Sequence, residues 1–420
     1  MNRKLSPAQI LFILTGLNLF NYLDRNILAA VLDPVQAQFS LTDEQGGRLN
    51  TAFMLGYFVT APLFGYLGDR ASRKWLIVAG IAVWSLGTVL TGFATSFAQM
   101  MFFRAIVGVG EASYASISPG LISDVFGAEK RNNALTIFYV ALPVGAALGY
   151  VVGGQIEVHW GWRHAFVWAG LPGLLLAMSL APFQEPPRGE AESRAGHAQL
   201  PELKDTLAIF RLPEYHLIVW GYVAYTFAMG AFAFWGPGYL HRVHGITKAN
   251  ASLFLGAVVV VAGLVGTFAG GFAATAWRKR NPAAYSLVLG YSTLAAVVPA
   301  LATFLTTNVT VCMASLATTV FFLFLSTGPV NTLILESVPV NLRASAMAMA
   351  IFMIHLFGDL WYSQVMGALS DRWKNLQRAG LILPGALVIG GALWLALALK
   401  TIRSVQRHVA GAPNPRVTAL

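Results

Sequence analysis

Apolar stretches of about 20 residues recur along this chain, each long enough at about 1.5 Å per residue to cross the roughly 30 Å hydrocarbon layer of a bilayer. Twelve are counted, at about 8–31, 47–67, 75–95, 98–124, 131–156, 162–183, 214–240, 249–274, 283–306, 309–336, 344–369 and 379–402. Runs such as 252–272 and 381–399 are unbroken, whereas 214–240 mixes aromatic and polar side chains with aliphatic ones. In lipid each backbone N–H and C=O must be satisfied within the segment, so stretches of this length read as helices. The pattern predicts an all-α membrane protein of twelve transmembrane helices. The longest polar stretch, 184–211, is rich in Pro, Glu, Arg, Gly and Ser and divides six helices from six. The expected organisation is a first six-helix half at 1–183, a cytoplasmic linker at 184–212, a second half at 213–403 and a tail at 404–420.

Composition and charge agree with that reading. Charged residues are 11% of the 420, less than half the quarter usual in a soluble domain, and hydrophobic residues are 56%. Nineteen of the 28 Lys and Arg fall in segments on the side of the chain termini, seven fall on the other side, and two, Arg25 and Arg104, lie inside helices. The positive-inside rule then places both termini of this multi-pass protein in the cytoplasm. The same asymmetry accounts for the net charge of +10 without a nucleic-acid partner. Cys312 stands alone in an apolar run, which excludes disulfides. The first apolar run ends in a charged pair with no small-residue cleavage site and reads as a retained helix. No cofactor is expected, and no metal: only His241, Arg242 and His244 cluster at all. Neither H-E-x-x-H nor G-x-S-x-G occurs, so nothing points to an enzyme.

Ionisable residues inside the helices carry the chemistry. A charge at the bilayer centre costs roughly 2.5–3.5 kcal/mol on insertion scales, and such residues pair and mark substrate or proton routes. Asp24 and Arg25 lie in the first helix and Arg104 and Glu111 in the fourth. Arg104 and Glu111, seven apart, share a helix face about 10 Å along the axis. From helix lengths, Asp24, Arg25 and Arg104 are expected in one outer layer, with Glu111 a turn or two deeper. These four are the candidate proton-coupling residues, since burial and a neighbouring Arg pull a carboxyl's titration in opposite directions. Arg104 also suits phosphate through its fixed fork of donors. In the second half, Tyr222, Tyr225, Thr226, Phe232, Phe234 and Trp235 give the seventh helix an aromatic, hydroxylated face. Asn331, Glu336, His355 and Asp359 add polarity in helices ten and eleven, with Glu336 near an end and solvated. His355 and Asp359, four apart, read equally as a second proton site or a structural pair. Candidate substrate contacts are Arg104, Glu111, Tyr114, Tyr139, Tyr222, Tyr225, Thr226, Phe232, Asn331 and His355.

Three signatures point further. Gly65–Lys74 fits G-x-L-x-D-R-x-x-R-K and resembles the cytoplasmic loop signature of the major facilitator superfamily. Arg104 to Glu111 fits R-x-x-x-G-x-G-E and resembles the fourth-helix signature of the same superfamily. Pro143, Gly145, Gly149, Gly153 and Gly154 form a small-residue stripe that resembles its fifth-helix signature and reads first as close packing. Glycine at 65 is expected to let two helices approach, and Asp69 to pair or cap a helix end. The resemblance implies that this loop steadies the outward-open state, with Gly65, Asp69, Arg70, Arg73 and Asp359 as candidate gating residues.

More specific are Asn21-Tyr22-Leu23-Asp24-Arg25, Gly110-Glu111-Ala112-Ser113-Tyr114, Phe138-Tyr139 through Gly149-Tyr150, and His355-Leu356-Phe357-Gly358-Asp359 with Gly367 and Asp371. Together these resemble the Spinster family of lipid transporters, and the short polar ends look prokaryotic. The resemblance implies proton-coupled, alternating-access movement of amphipathic lipids, lysophospholipids or sphingoid phosphates, by a monomer through a cavity between the halves. An alternative is a proton-coupled carrier of small organic anions, sugar acids or monocarboxylates, which shares the loop and fourth-helix signatures. Such a carrier should present Arg or Lys from both halves, and none is expected buried in helices seven to twelve. A membrane-embedded enzyme or receptor is the third class.

Overall fold

The computed structural model describes residues 5–126, 128–180, 184–185, 209–339 and 342–411, and the backbone alone at 69, 128, 129, 131–133, 179, 344 and 407–411. The first six helices are α1 (Pro7–Phe39), α2 (Asp43–Arg70), α3 (Arg73–Gly92), α4 (Phe97–Val125), α5 (Ala128–Trp160) and α6 (Trp162–Leu180). The second six are α7 (Pro213–His244), α8 (Lys248–Arg278), α9 (Ala284–Leu305), a broken α10 (Val309–Phe324 and Thr327–Glu336), α11 and α12 (Ile382–Gly411). Helix α11 runs as Arg343–Ile354, a π-turn at His355–Asp359 and Tyr362–Trp373, and a short helix, Leu376–Gly380, leads into α12. No strand occurs among the described residues. Most of the linker lies outside them, as does the tail from 412.

Helix starts follow their capping residues. Ser6 and Thr42 each accept a hydrogen bond from the backbone N–H three residues on, while Gln9 and Gln45 reach back to the cap N–H. Asn308 and Thr247 cap α10 and α8 in the simpler one-way manner. Nine helices among the described residues, counting each broken helix once, are long and apolar enough to cross a membrane. Helices α1, α4 and α6 are outside that set, and α1 and α4 are the two that hold the internal charges.

The ends of the helices define two faces: a proximal one with the chain termini and a distal one with the α1–α2 turn. Within the first half, α1 packs on α5 and α2 on α4; α3 packs on both α4 and α6. Glycine allows the closest of these approaches. A Cβ at Gly108 would overlap the Phe53 carbonyl oxygen, and Cβ atoms at Gly145 and Gly149 would overlap the carbonyls of Leu19 and Leu23. Gly145, Gly149 and Gly153 of the fifth-helix stripe therefore pack on α1, while Gly154 faces Ser252 of α8. Between the halves, α2 lies along the second part of α11, α5 along α8, and α1 along α7.

One expectation is corrected here. The apolar pattern places the first helix at about 8–31, but α1 continues through Asp33 and Pro34 to Phe39. Asp33 and Gln36 are tolerated because Arg242 of α7 binds both, with Nε 2.6 Å from Asp33 Oδ1. Asp24 and Arg25 consequently sit at the middle of α1, level with Glu111 at the middle of α4, and not in a separate outer layer.

Candidate functional site

The site grows from the crossing of α1, α2, α3 and α4. Arg25 Nε and Nη2 both donate to Glu111 Oε2, at 3.3 and 3.2 Å, so the pair joins the centres of α1 and α4. Glu111 is wholly buried and Arg25 largely so. The Arg25 guanidinium also lies over the rings of Tyr22, Phe53 and Tyr57, at 5.1, 5.0 and 5.3 Å, which places the cation in an aromatic enclosure. Asp24 points to the other side of α1, where Thr88 of α3 donates to its Oδ2 at 2.5 Å.

Arg104 is completely buried, and its three nitrogens have no protein hydrogen-bond partner. It lies 4.9 Å from the centre of the Phe53 ring, so both buried arginines share that ring. One oxygen each of Asp24 and Glu111 is likewise buried without a protein partner. Two cations, two carboxylates and several unsatisfied polar atoms thus stand together in the first half, where a single proton gained or lost changes which partners are favoured.

A second polar element stands in the other half. His355 Nδ1 is 2.7 Å from Asp359 Oδ2 across the π-turn of α11. The π-turn widens the helix by one residue, a feature that tends to mark functional positions. The His355 ring meets the Tyr57 ring edge-on at 6.0 Å. Tyr57 therefore touches the Arg25 enclosure on one side and the histidine of the other half on its other side. Thr226 of α7 lies close to the same turn, since a Cβ at Gly358 would overlap its hydroxyl.

The remaining candidates are more dispersed. Tyr114 is buried in the first half, donating to the Leu14 carbonyl and packing edge-on against Trp84 at 5.5 Å. Tyr225 donates to the Leu323 carbonyl at 2.8 Å and Phe232 stacks on Phe304 at 5.6 Å, so both face the interior of the second half. Phe234 and Trp235 are buried as well. Tyr222 is half-buried, 6.0 Å from the Tyr225 ring, while Tyr139 and Asn331 are exposed. Glu336 pairs with Arg278 at 3.2 Å and keeps solvent access.

Of the gating candidates, a Cβ at Gly65 would meet nothing within 4 Å, so in this conformation no helix closes on it. The expected close approach is instead made by Gly108. The Asp69 side chain lies outside the described residues. Arg70 folds back over the Tyr66 ring at 3.7 Å, and Arg73 pairs with Asp124 and lies 3.7 Å from Glu185. Among the described residues no group of three or more His, Cys, Asp and Glu could hold a metal.

Sequence reasoning missed Tyr22, Phe53, Tyr57 and Thr88. Each reads along the chain as an ordinary apolar or packing position; only Tyr22, beside Asp24-Arg25, carries a local signal.

Comparisons with known proteins agree with one another. A model of the Major Facilitator Superfamily matches residues 14–359. Protein spinster homolog 1 of Xenopus laevis is 34% identical over 93% of this chain and 80% of its own length, and its Homo sapiens counterpart 33% over 97% and 84%. The probable sphingolipid transporter spinster homolog 1 of Arabidopsis thaliana is 31% identical over 93% and 88%. A bacterial homolog of the human lysosomal transporter Spinster, solved inward-facing and unoccupied, superposes with a TM-score of 0.88 at 22% identity, covering 94% of this chain and 98% of that one. A bacterial homolog of Spinster solved inward-facing and occupied gives 0.85 at 23%, covering 95% and 98%.

Proposed function

The chain belongs to the major facilitator superfamily and, within it, to the Spinster family of transporters, and on that footing we propose that it is a proton-coupled carrier of amphipathic lipids. It is an integral, multi-pass membrane protein and a transporter, not an enzyme. In this reading the two six-helix halves alternate access to a route between them. The termini face the cytoplasm of a cell inner membrane, and one chain suffices.

The observation that carries the reading is the buried Arg25–Glu111 pair at the centre of the first half, with Asp24 on the same turn of α1. A carboxylate held there by one arginine, with a second arginine unsatisfied nearby, can exchange a proton as its neighbours move. The unsatisfied donors of Arg104 suit a phosphate or carboxylate headgroup, and aromatic side chains such as Tyr222 suit the chain of an amphiphile. Lysophospholipids and sphingoid phosphates combine those two requirements. A relative from Arabidopsis thaliana carries the name of a probable sphingolipid transporter, which supports the lipid class.

Two measurements test the proposal. In proteoliposomes, an inward-acidic or outward-acidic pH gradient should drive lysolipid movement, and Glu111→Gln should abolish that dependence. Unchanged gradient-driven transport in Glu111→Gln would remove Glu111 from the coupling. Thermal stabilisation across a panel of lysolipids, sugar acids and monocarboxylates should respond to the lysolipids; a response confined to the acids would establish the small-anion alternative in their place.

A further inference from the structure

Helix α2 begins at the distal face, and its first turn is completed by the other half of the molecule. Thr42 caps the N–H of Gln45, which leaves the N–H groups of Asp43 and Glu44 to find acceptors. Both go to one side chain: Asp371, at the end of α11, accepts from Asp43 N at 3.0 Å through Oδ1 and from Glu44 N at 2.8 Å through Oδ2. A carboxylate in that position meets two aligned donors and the positive end of the helix dipole. Ser370 adds a hydrogen bond to Asp43 Oδ2 at 2.6 Å.

The backbones touch where this happens. A Cβ at Gly367 would overlap the Asp43 carbonyl, and one at Gly47 would overlap the Ser363 carbonyl. Any larger residue at either position would wedge α2 away from α11.

The segment that supplies these groups is Gly367-Ala368-Leu369-Ser370-Asp371-Arg372, which has the spacing G-x-L-x-D-R. The same spacing occurs in Gly65-Tyr66-Leu67-Gly68-Asp69-Arg70, at the proximal end of α2 itself. The two helices run antiparallel and each carries this segment at its C-terminal end; the distal copy lies beside the start of α2. In this structure the glycine of the distal copy is in backbone contact and the glycine of the proximal copy is open.

We propose that Gly367–Arg372 is a distal latch: Asp371 binds the N-terminus of α2 while the distal ends of the two halves are together, and it must let go for them to part. The latch rests on the reading that the halves alternate, and is independent of which substrate is carried or whether protons drive it.

The test measures the distal separation without substrate. Nitroxide labels at Ser40→Cys and Thr247→Cys, both exposed at the distal face of opposite halves, are placed in a Cys312→Ala background and their distances read by pulsed electron resonance. The parent protein should show one short distance. Asp371→Asn, which keeps the shape but loses the charge and one acceptor, should raise the open-to-closed ratio roughly tenfold, the scale of a charge-assisted hydrogen bond. Gly367→Ala should do the same by steric wedging, and it decides the matter if Asp371→Asn does not elute as a folded protein. Arg242→Ala, which removes the neighbouring distal ion pairs with Asp33 and Asp43 but leaves the Asp371 hydrogen bonds and the Gly367 approach in place, is the reference. If it opens the distal face while Asp371→Asn and Gly367→Ala do not, the latch is overturned and alternation stands. If none of the three opens it, latch and alternation both fall.

Discussion

Arg25 and Glu111 meet at 3.2 Å in the centre of the first half, and the cation that completes the pair is a neighbour of Asp24 on α1, not Arg104 on Glu111's own helix. Arg104 is left beside them with its nitrogens unsatisfied. The pair therefore ties α1 to α4, and whatever disturbs it acts on two helices together.

Glu111→Gln tests the titration alone. Glutamine keeps a carbonyl oxygen to accept from Arg25 but can neither bind nor release a proton there, so the protein should fold and bind ligand while gradient-driven uptake is lost. Exchange of labelled for unlabelled lipid at equal pH on both sides should survive. Loss of exchange together with uptake would show that Glu111 is needed for movement itself and not for its coupling.

Arg25→Ala should be the more damaging change, since it leaves a wholly buried carboxylate without its cation. Breaking a buried pair from one side costs roughly 3–5 kcal/mol. The melting temperature should drop clearly, and Arg25→Ala combined with Glu111→Gln should recover part of the loss. A double variant no better than Arg25→Ala alone would mean that the aromatic enclosure, not the ion pair, supplies the stability.

Tyr57 and His355 touch across the two halves, with ring centres 6.0 Å apart. An edge-on ring pair contributes about 0.5–1.5 kcal/mol beyond its buried area. A double-mutant cycle of Tyr57→Leu and His355→Leu, read by thermal denaturation, should show coupling of that size. Strict additivity would mean that the contact transmits nothing between the halves.

Arg242 clamps the distal face through Asp33 at 2.6 Å and Asp43 at 2.5 Å. The group is partly exposed, so its attraction should weaken with salt. Arg242→Ala should increase maleimide labelling of a cysteine placed at buried Asn50, which lies behind the clamp against Tyr362 and Ser363. The parent protein should move in the same direction as salt is raised from low to molar concentration.

Two glycines should part company. Gly108→Ala forces a methyl into the Phe53 carbonyl and should destabilise the first half, whereas Gly65→Ala enters open space within a helix and should leave or raise the melting temperature. If Gly65→Ala nevertheless slows transport, the cost falls on a state in which a helix does approach position 65.

The helices were legible because each must be about 20 residues long and almost uniformly apolar to satisfy its own backbone in lipid, and that requirement is written locally. Where a polar residue is satisfied from a distance, local reading stops: α1 runs past Asp33 to Phe39, with Asp33 held by Arg242, 209 positions away. Along the chain Tyr114 carries no sign that its hydroxyl donates to the Leu14 carbonyl, 100 positions away.

What the chain determined by itself is the number of spans, their division into halves, and the few charges that had to be accounted for inside them. Which charge answers which, that Glu111 binds Arg25 while Arg104 stays unsatisfied, and that Asp371 ends in the first turn of α2, was decided by the tertiary structure. The physical reason is range: hydropathy and helix propensity act over a few turns, but an ion pair or a helix cap acts over some 3 Å between residues that the fold alone brings together.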